Sequence, residues 1–224
     1  MILIQQIVAA CLRGLTGLIF RVDDEQLARI PQKGPLIIVS NHVHILEIPT
    51  LYTRLLPRPA KGMVLASRWD NPVFRWILEL FGTIPICRGE ADLSALRKGL
   101  DALAAGNILI VDPEGTRSGD GCLQRGRAGA ILLALRSGVP ILPVVHYGSE
   151  NYKENLRHLH RTGFHFRIGR QFHIKADETK KTHAVRQQII DEVMYQMAAL
   201  LPATYRGAYT HMDAATANYL TFLA

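Results

Sequence analysis

The sequence predicts a single α/β domain with a mainly parallel sheet flanked by helices, preceded by an amphipathic helix. The chain has 224 residues, of which 48% are hydrophobic and 20% charged. This composition excludes a disordered chain and a protein with many membrane spans, and it allows a sizeable core. Short apolar runs alternate with segments of helical periodicity, which favours parallel strands joined by helices. We expect residues 1–20 to form the first helix, 21–210 the domain and 211–224 a C-terminal tail.

Residues 1–20 predict an amphipathic helix. At 100° per residue, Gln5, Gln6, Arg13 and Thr16 fall on one side, and most of the Ile and Leu residues fall on the other. A spanning helix needs about 20 nearly uninterrupted apolar residues, which this segment lacks, and no cleavage site of a signal peptide is present. We therefore expect the helix to lie in the plane of a membrane. A helix packed against the protein's own core is the alternative.

The rest of the chain reads as strands and helices in alternation. Residues 21–34 are polar and predict a connector. Short apolar runs predict strands over 36–40, 63–66, 83–87, 108–111 and 141–145. Helical periodicity predicts helices over 48–55, 72–80, 92–105, 128–136 and 183–200. Asn71 followed by Pro72 is typical of a helix start, and Gly82 of a helix end. Segments 164–168 and 171–174 alternate in polarity, which predicts an outer hairpin or an edge pair.

The charge and the cysteines restrict the partners. The net charge of +7 favours anions, such as lipid headgroups and phosphorylated small molecules. The sequence lacks zinc-finger spacing, a basic heptad region and an aromatic RNP-like strand, so we expect no nucleic-acid partner. Cys11, Cys87 and Cys122 are widely spaced and fit neither a metal site nor a disulfide framework, so we expect no metal and a reducing compartment.

Three predicted strands end in polar segments that could converge at one edge of a parallel sheet. The first carries His42 and Glu47, the second ends at Arg88, and the third is followed by residues 114–118, which include Arg117. A histidine oriented by a carboxylate can deprotonate an alcohol, and guanidinium groups bind phosphate bidentately. Each segment alone is typical of a structural turn, but together they predict a substrate with a hydroxyl and a phosphate.

Four ordered blocks carry a resemblance to a known family. They are Asn41-His42-x4-Glu47, Gly82 to Arg88, Glu114-Gly115-Thr116-Arg117-Ser118 and Val139-Pro140-Ile141-Leu142-Pro143. Their order and spacing over residues 41–143 resemble the glycerolipid (lysophospholipid) acyltransferase family, typified by 1-acylglycerol-3-phosphate acyltransferase.

The resemblance implies a reaction and a set of site residues. His42, oriented by Glu47, would act as general base on the acceptor hydroxyl, which attacks an acyl thioester directly without a covalent acyl-enzyme. The residues implied to bind the acceptor's phosphate are Arg88, Glu114, Gly115, Thr116 and Arg117. The residues implied on the acyl-donor side are Pro140, Ile141, Leu142 and Pro143. The co-substrate would be acyl-CoA or acyl-carrier protein, with no further cofactor.

These implications define the expected function and place. We expect 1-acylglycerol-3-phosphate to be converted to phosphatidic acid by a peripheral or monotopic membrane protein at the cytoplasmic face. The family's first block ends in Asp, whereas this chain has Glu47, which is one methylene longer but still accepts a hydrogen bond. This departure leaves open another lysophospholipid, a glycolipid or an amino-acid lipid as acceptor. A thioesterase and a non-catalytic lipid-binding protein are further alternatives. We expect His44, inside the block, to be a surface residue at a helix start.

Overall fold

One mixed sheet runs through the computed structural model, which describes residues 2–87, 92–175 and 182–223. Within those ranges the strands are β1 (Phe20–Asp23), β2 (Leu36–Val39), β3 (Ala60–Leu65), β4 (Ile84–Ile86), β5 (Ile108–Val111), β6 (Ile141–Tyr147), β7 (Thr162–Ile168), β8 (Phe172–Ile174) and β9 (Leu220–Phe222). Their order is β1-β7-β6-β2-β5-β3-β4, with β8 pairing with β6 and β9. Strands β6, β2, β5, β3 and β4 are mutually parallel, which confirms the predicted α/β class.

Helices connect these strands and flank the sheet. The α-helices of the described residues are α1 (Ile2–Ile19), α2 (Glu47–Leu55), α3 (Pro72–Leu80), α4 (Leu93–Ala104), α5 (Leu132–Ser137), α6 (Tyr152–Arg157) and α7 (His183–Leu200). The predicted start signals act as expected, since Asn71 accepts hydrogen bonds from the first turn of α3 and Asp92 from that of α4. The predicted helix over 128–136 begins as a 3-10 turn, Ala128–Ile131, before it continues as α5.

The core lies on both faces of the central strands. Along β2, Leu36 and Ile38 belong to one buried cluster, and Ile37 and Val39 to the other. Successive side chains of a strand point to opposite faces, so a strand buried on both faces needs a continuous apolar run. This requirement explains why β2 and β5 could be predicted from their composition.

Three predictions about the outer strands were wrong. The connector over residues 21–34 contains β1 and a 3-10 helix, Glu25–Arg29. Strands β7 and β8 do not form a hairpin with each other, because β7 lies between β1 and β6 while β8 pairs with β6 and β9. Strand β6 also runs two residues beyond the predicted end at 145 and therefore includes His146. These pairings join residues that are distant in sequence, so local periodicity could not reveal them.

Helix α1 packs on α2 through its small and polar side. Ala9 and Thr16 are buried, and the Gln5 side chain donates a hydrogen bond to the Leu80 carbonyl at the end of α3. Five apolar residues on the other side are each at least 51% exposed: Leu3, Ile4, Ile7, Leu15 and Leu18. The side of α1 that contacts the protein is therefore the less apolar one.

No helix in the described part of the chain combines the length and the apolar character needed to cross a membrane.

The end of the described chain returns to the sheet. Strand β9 pairs with β8, and the buried Glu192 of α7 accepts hydrogen bonds from the Thr216 hydroxyl and the backbone N–H groups of Asn218 and Tyr219. The division into residues 1–20, 21–210 and 211–224 stays a prediction.

Candidate active site

The loop that follows β2 folds around the side chain of Glu47, the first residue of α2. Glu47 Oε1 accepts a hydrogen bond from Val43 N at 2.9 Å, and Oε2 accepts one from His44 N at 2.8 Å. His42 Nδ1 also contacts Glu47 Oε1. The Glu47 side chain is 4% exposed and that of His42 is 20% exposed. A buried carboxylate thus fixes a histidine whose ring remains accessible from outside.

The charge of Glu47 is maintained by its neighbours. Burial raises the pKa of this carboxyl, but the nearby His146 ring and the hydrogen bond from His42 outweigh burial and lower the pKa below its ordinary value. Glu47 is therefore ionised near neutral pH. An ionised acceptor at Nδ1 favours a proton on that nitrogen and leaves His42 Nε2 unprotonated in the neutral ring.

His146, which sequence reasoning missed, and Asn41, which begins the first predicted block, tie the site to β6. His146 is buried, and its Nε2 lies 2.8 Å from the Asn41 carbonyl oxygen and 3.6 Å from Glu47 Oε2. The Asn41 amide donates to the His146 carbonyl and accepts from the His146 N–H, both at 2.9 Å. This pair joins the ends of β2 and β6 behind His42. A histidine after four apolar residues of a strand is the signal that could have indicated it.

The expectation that His44 is a surface residue was wrong. Its ring is buried and stacks on Phe20, and Nε2 lies 2.9 Å from Ser149 Oγ. Burial lowers the pKa of His44 to about 4. A neutral imidazole held in this way supports the loop, whereas the more exposed His42 is available to a substrate.

The turn after β5 meets His42 from the other side. Ser118 N donates to the His42 carbonyl at 2.8 Å, and His42 N lies 3.4 Å from Glu114 Oε1. Glu114 is buried, and its Oε2 accepts a hydrogen bond from Gln124 N at 2.8 Å. Burial raises the pKa of Glu114 to about 8. The predicted first and third blocks are thus in direct contact.

The turn itself requires a glycine and presents an arginine. Gly115 has a φ of +67°, and a Cβ there would lie 3.0 Å from Arg127 Cδ. Thr116 is partly exposed, and Arg117 is exposed with no side-chain partner among the described residues. A guanidinium that no described side chain engages can bind an anion at the edge of the site.

The remaining predicted site residues are farther from this contact or lie outside the description. Arg88 lies outside the described residues. The strand that precedes it in the sequence, β4, ends at Ile86. Pro140 precedes β6, and Ile141, Leu142 and Pro143 are buried at its start. Pro143 pairs with Val39, the last residue of β2, and so lies nearest to the catalytic loop. Within the described ranges, no group of three or more His, Cys, Asp or Glu side chains could hold a metal ion.

Comparison with known proteins decides the family. The family model described as Acyltransferase matches residues 21–147, more than half of the chain and all of the loop and turn described above. The chain belongs to the Acyltransferase family. This membership confirms the resemblance predicted from the four blocks.

Several relatives share the matched region. A chloroplastic 1-acyl-sn-glycerol-3-phosphate acyltransferase of Brassica napus is 29% identical over 133 residues, covering 58% of this chain and 38% of that protein. A 1-acyl-sn-glycerol-3-phosphate acyltransferase of Pseudomonas aeruginosa is 30% identical and covers 56% and 49%. A lyso-ornithine lipid O-acyltransferase of the same organism is 32% identical and covers 50% and 43%. The matched region spans about half, or less, of each relative's length.

A solved structure shares the fold. The crystal structure of the 1-acyl-sn-glycerophosphate acyltransferase PlsC from Thermotoga maritima superposes with a TM-score of 0.56 at 20% identity, covering 84% of this chain and 79% of that one. The likeness therefore extends beyond the residues of the family match.

Glu114 predicts a specific pH dependence of stability. The unfolded chain releases this proton near pH 4.5, whereas the folded protein holds it to about pH 8. Its stabilising contribution is therefore complete below about pH 4.5 and is lost as the pH rises through about 8. We expect urea unfolding to show a free energy on the order of 5 kcal/mol lower at high than at low pH from this group, because a pKa moved from 4.5 to about 8 corresponds to about 1.4 kcal/mol per pH unit.

The Glu114→Gln variant isolates the effect because it cannot ionise. Its unfolding free energy should vary less over the same pH range than that of the wild type. Identical pH profiles for the two proteins would show that Glu114 is already ionised in the folded state at neutral pH.

Proposed function

We propose that this protein transfers a fatty acyl group from an acyl thioester to the free hydroxyl of 1-acylglycerol-3-phosphate, giving phosphatidic acid. The observation that carries the proposal is the contact of the partly exposed His42 with the buried, ionised Glu47, beside the Glu114–Ser118 turn. A base and an exposed guanidinium lie together at one edge of a parallel sheet, which is where such sheets bind ligands. The names of the relatives support the acceptor.

The proposed reaction is a direct transfer. His42 Nε2 takes the proton of the acceptor hydroxyl while the oxygen forms a bond to the thioester carbonyl carbon. The tetrahedral intermediate then collapses with cleavage of the C–S bond, and the imidazolium returns its proton to the thiolate. Glu47 stabilises the imidazolium between these steps and keeps the ring in one tautomer. Acyl-CoA or acyl-carrier protein supplies the thioester, and no other cofactor takes part.

The phosphate of the acceptor is assigned to the exposed end of the turn. Arg117 offers there an exposed guanidinium with no side-chain partner in the described ranges, and Thr116 adds a hydroxyl donor next to it. The carboxylate of Glu114 is bound to backbone N–H groups, so we assign it to holding the turn in place. Arg88 is proposed as a second phosphate ligand, and residues 140–143 as the acyl-donor side, from the family resemblance.

Loss of the base should abolish transfer. In His42→Ala, the rate of phosphatidic acid formation from lysophosphatidic acid and acyl-CoA should fall by about 10²–10⁴-fold, the usual contribution of a general base. The matched control is His158→Ala, which removes an exposed histidine of the α6 end that contacts Glu154. Both variants should retain the circular dichroism spectrum and the vesicle binding of the wild type. Unchanged turnover in His42→Ala would exclude His42 as the base.

A different acceptor is the second candidate function. Two observations favour it: the family's Asp is replaced by Glu47, and a relative of 32% identity is a lyso-ornithine lipid O-acyltransferase. Glu47 is longer than Asp, so the position of the His42 ring relative to the acceptor would differ. An amino-acid lipid has no phosphate for Arg117 to bind.

An acceptor panel separates the two candidates. We expect lysophosphatidic acid to give the highest kcat/KM, and Arg117→Ala to raise its KM about tenfold, the loss of one charge-assisted contact. The panel includes lyso-ornithine lipid, lysophosphatidylcholine and water, and is scored by the release of free coenzyme A. A non-phosphorylated acceptor that outperforms lysophosphatidic acid, together with a silent Arg117→Ala, would favour the second candidate. Release of free coenzyme A in the absence of a lipid acceptor would identify a thioesterase.

We further propose that the protein lies on the cytoplasmic face of a membrane through the outward side of α1. Its exposed Ile and Leu residues form an apolar strip, and its inward side is the one that packs on α2. The contact of Gln5 with Leu80 places α3 beside it, where Val73, Phe74 and Trp76 are also exposed. The positive net charge adds attraction to anionic lipid.

Charge on that strip should release the protein from lipid. In Ile7→Asp or Leu18→Asp, partitioning into vesicles, measured by co-sedimentation, should be at least tenfold weaker than in the wild type. The reason is that burial of one aliphatic side chain in the membrane contributes about 1.5–3 kcal/mol to the binding free energy. The control Gln6→Asp adds the same charge to the same helix outside the strip. Equal binding by all three variants would show that α1 does not carry the membrane contact.

A further inference from the structure

A cavity lies under α1, away from the proposed active site. It has a volume of about 260 Å³, is open to solvent on one side and is lined by residues of α1, the Glu25–Arg29 turn and the end of α2. Arg58, on its wall, donates a hydrogen bond to the carbonyl of Gly34, which precedes β2. His42 follows the opposite end of β2, so the cavity and the catalytic loop lie at opposite ends of that strand.

Three arginines line this cavity, and one carboxylate opposes them. Arg54 is buried and donates to Asp24 Oδ2 at 2.6 Å and to the Thr50 carbonyl at 2.9 Å. Arg13 of α1 is exposed at the rim, and its side chain has no hydrogen-bond or ion-pair partner among the described residues. With Arg58, the lining carries three positive charges against the single negative charge of Asp24.

Arg58 is the decisive residue because its charge is buried and incompletely paired. The residue is 6% exposed, and its Nη1 has no hydrogen-bond partner in the described part of the chain. Burying a guanidinium without partners for its N–H groups is costly, and a bound anion removes that cost. The lining also includes Leu27 and Ile30.

We propose that this cavity is a second anion site, specific for a phosphate group, with Arg58, Arg54 and Arg13 as its ligands. Its volume is below the roughly 300–1,000 Å³ of pockets that enclose drug-sized ligands, so it accepts a headgroup or a free phosphate ion rather than a whole lipid. Arg13 belongs to the helix whose other side carries the exposed apolar strip, so an anionic phospholipid in the same membrane is one source of the phosphate. The site does not depend on the acyl-transfer proposal.

The test measures phosphate binding with the proposed acceptor site weakened. All proteins carry Arg117→Ala, which weakens phosphate binding at that site about tenfold and equally in every variant compared. Inorganic phosphate is titrated into each protein, and binding is measured by calorimetry and by thermal unfolding. The Kd of the Arg58 site should rise at least tenfold in Arg58→Met, which is a loss of about 1.4 kcal/mol of binding free energy. The matched control is Arg157→Met, an exposed arginine of α6 that pairs with Glu154. Arg13→Met serves as a second variant, because removal of this exposed side chain leaves the core intact.

Vesicles distinguish the two sources of phosphate. If the ligand is a lipid headgroup, Arg58→Met and Arg13→Met should weaken binding to phosphatidylcholine vesicles that contain phosphatidylglycerol, while binding to pure phosphatidylcholine stays unchanged. If the ligand is free phosphate, the inorganic ion alone should raise the Tm of the Arg117→Ala protein and not that of the double variants. The proposal is overturned if Arg58→Met and Arg13→Met bind phosphate and anionic vesicles as well as Arg157→Met does.

Discussion

The active-site loop depends on one carboxylate placed inside it. Glu47 binds the backbone N–H groups of Val43 and His44 and the ring of His42 at the same time. A loop that leaves a buried strand must satisfy its polar backbone groups without a neighbouring strand. Glu47 meets that need and orients the His42 ring with the same two oxygens. The folding of the loop and the orientation of His42 therefore depend on the same carboxylate. Glu47, although one methylene longer than Asp, makes both sets of contacts.

Two buried carboxyl groups flank His42 and differ in charge. Glu47 has a lowered pKa because of its contacts with His42 and with the nearby His146 ring. Glu114 has a pKa raised to about 8 by burial, although it accepts two backbone hydrogen bonds. One negative charge beside the imidazole stabilises an imidazolium, whereas a second buried charge would add repulsion and desolvation cost. The site thus combines one charged group for orientation with one neutral group for support.

The parts of this arrangement that lie within short stretches of sequence could be predicted. The run before His42, its spacing to Glu47 and the Glu114–Ser118 turn are local patterns, and parallel pairing of β2 with β5 brings them together as expected. The link between Asn41 and His146 could not be predicted, because it depends on the register of β6 against β2, 105 residues apart. The burial of His44 and the cavity at Arg58 likewise depend on how distant segments meet. Sequence periodicity specifies the face of an element but not its neighbour.

The central claim is that the charge of Glu47 makes His42 a base, and turnover of two variants tests it most directly. Glu47→Asp keeps the charge and restores the side chain of the family's block, whereas Glu47→Gln keeps the length and removes the charge. In a Ser-His-Asp triad the corresponding amide substitution lowers kcat by about 10⁴-fold. We predict that kcat for transfer to lysophosphatidic acid stays within about tenfold of the wild type in Glu47→Asp and falls at least 100-fold in Glu47→Gln. Wild-type turnover in a folded Glu47→Gln protein would contradict the account.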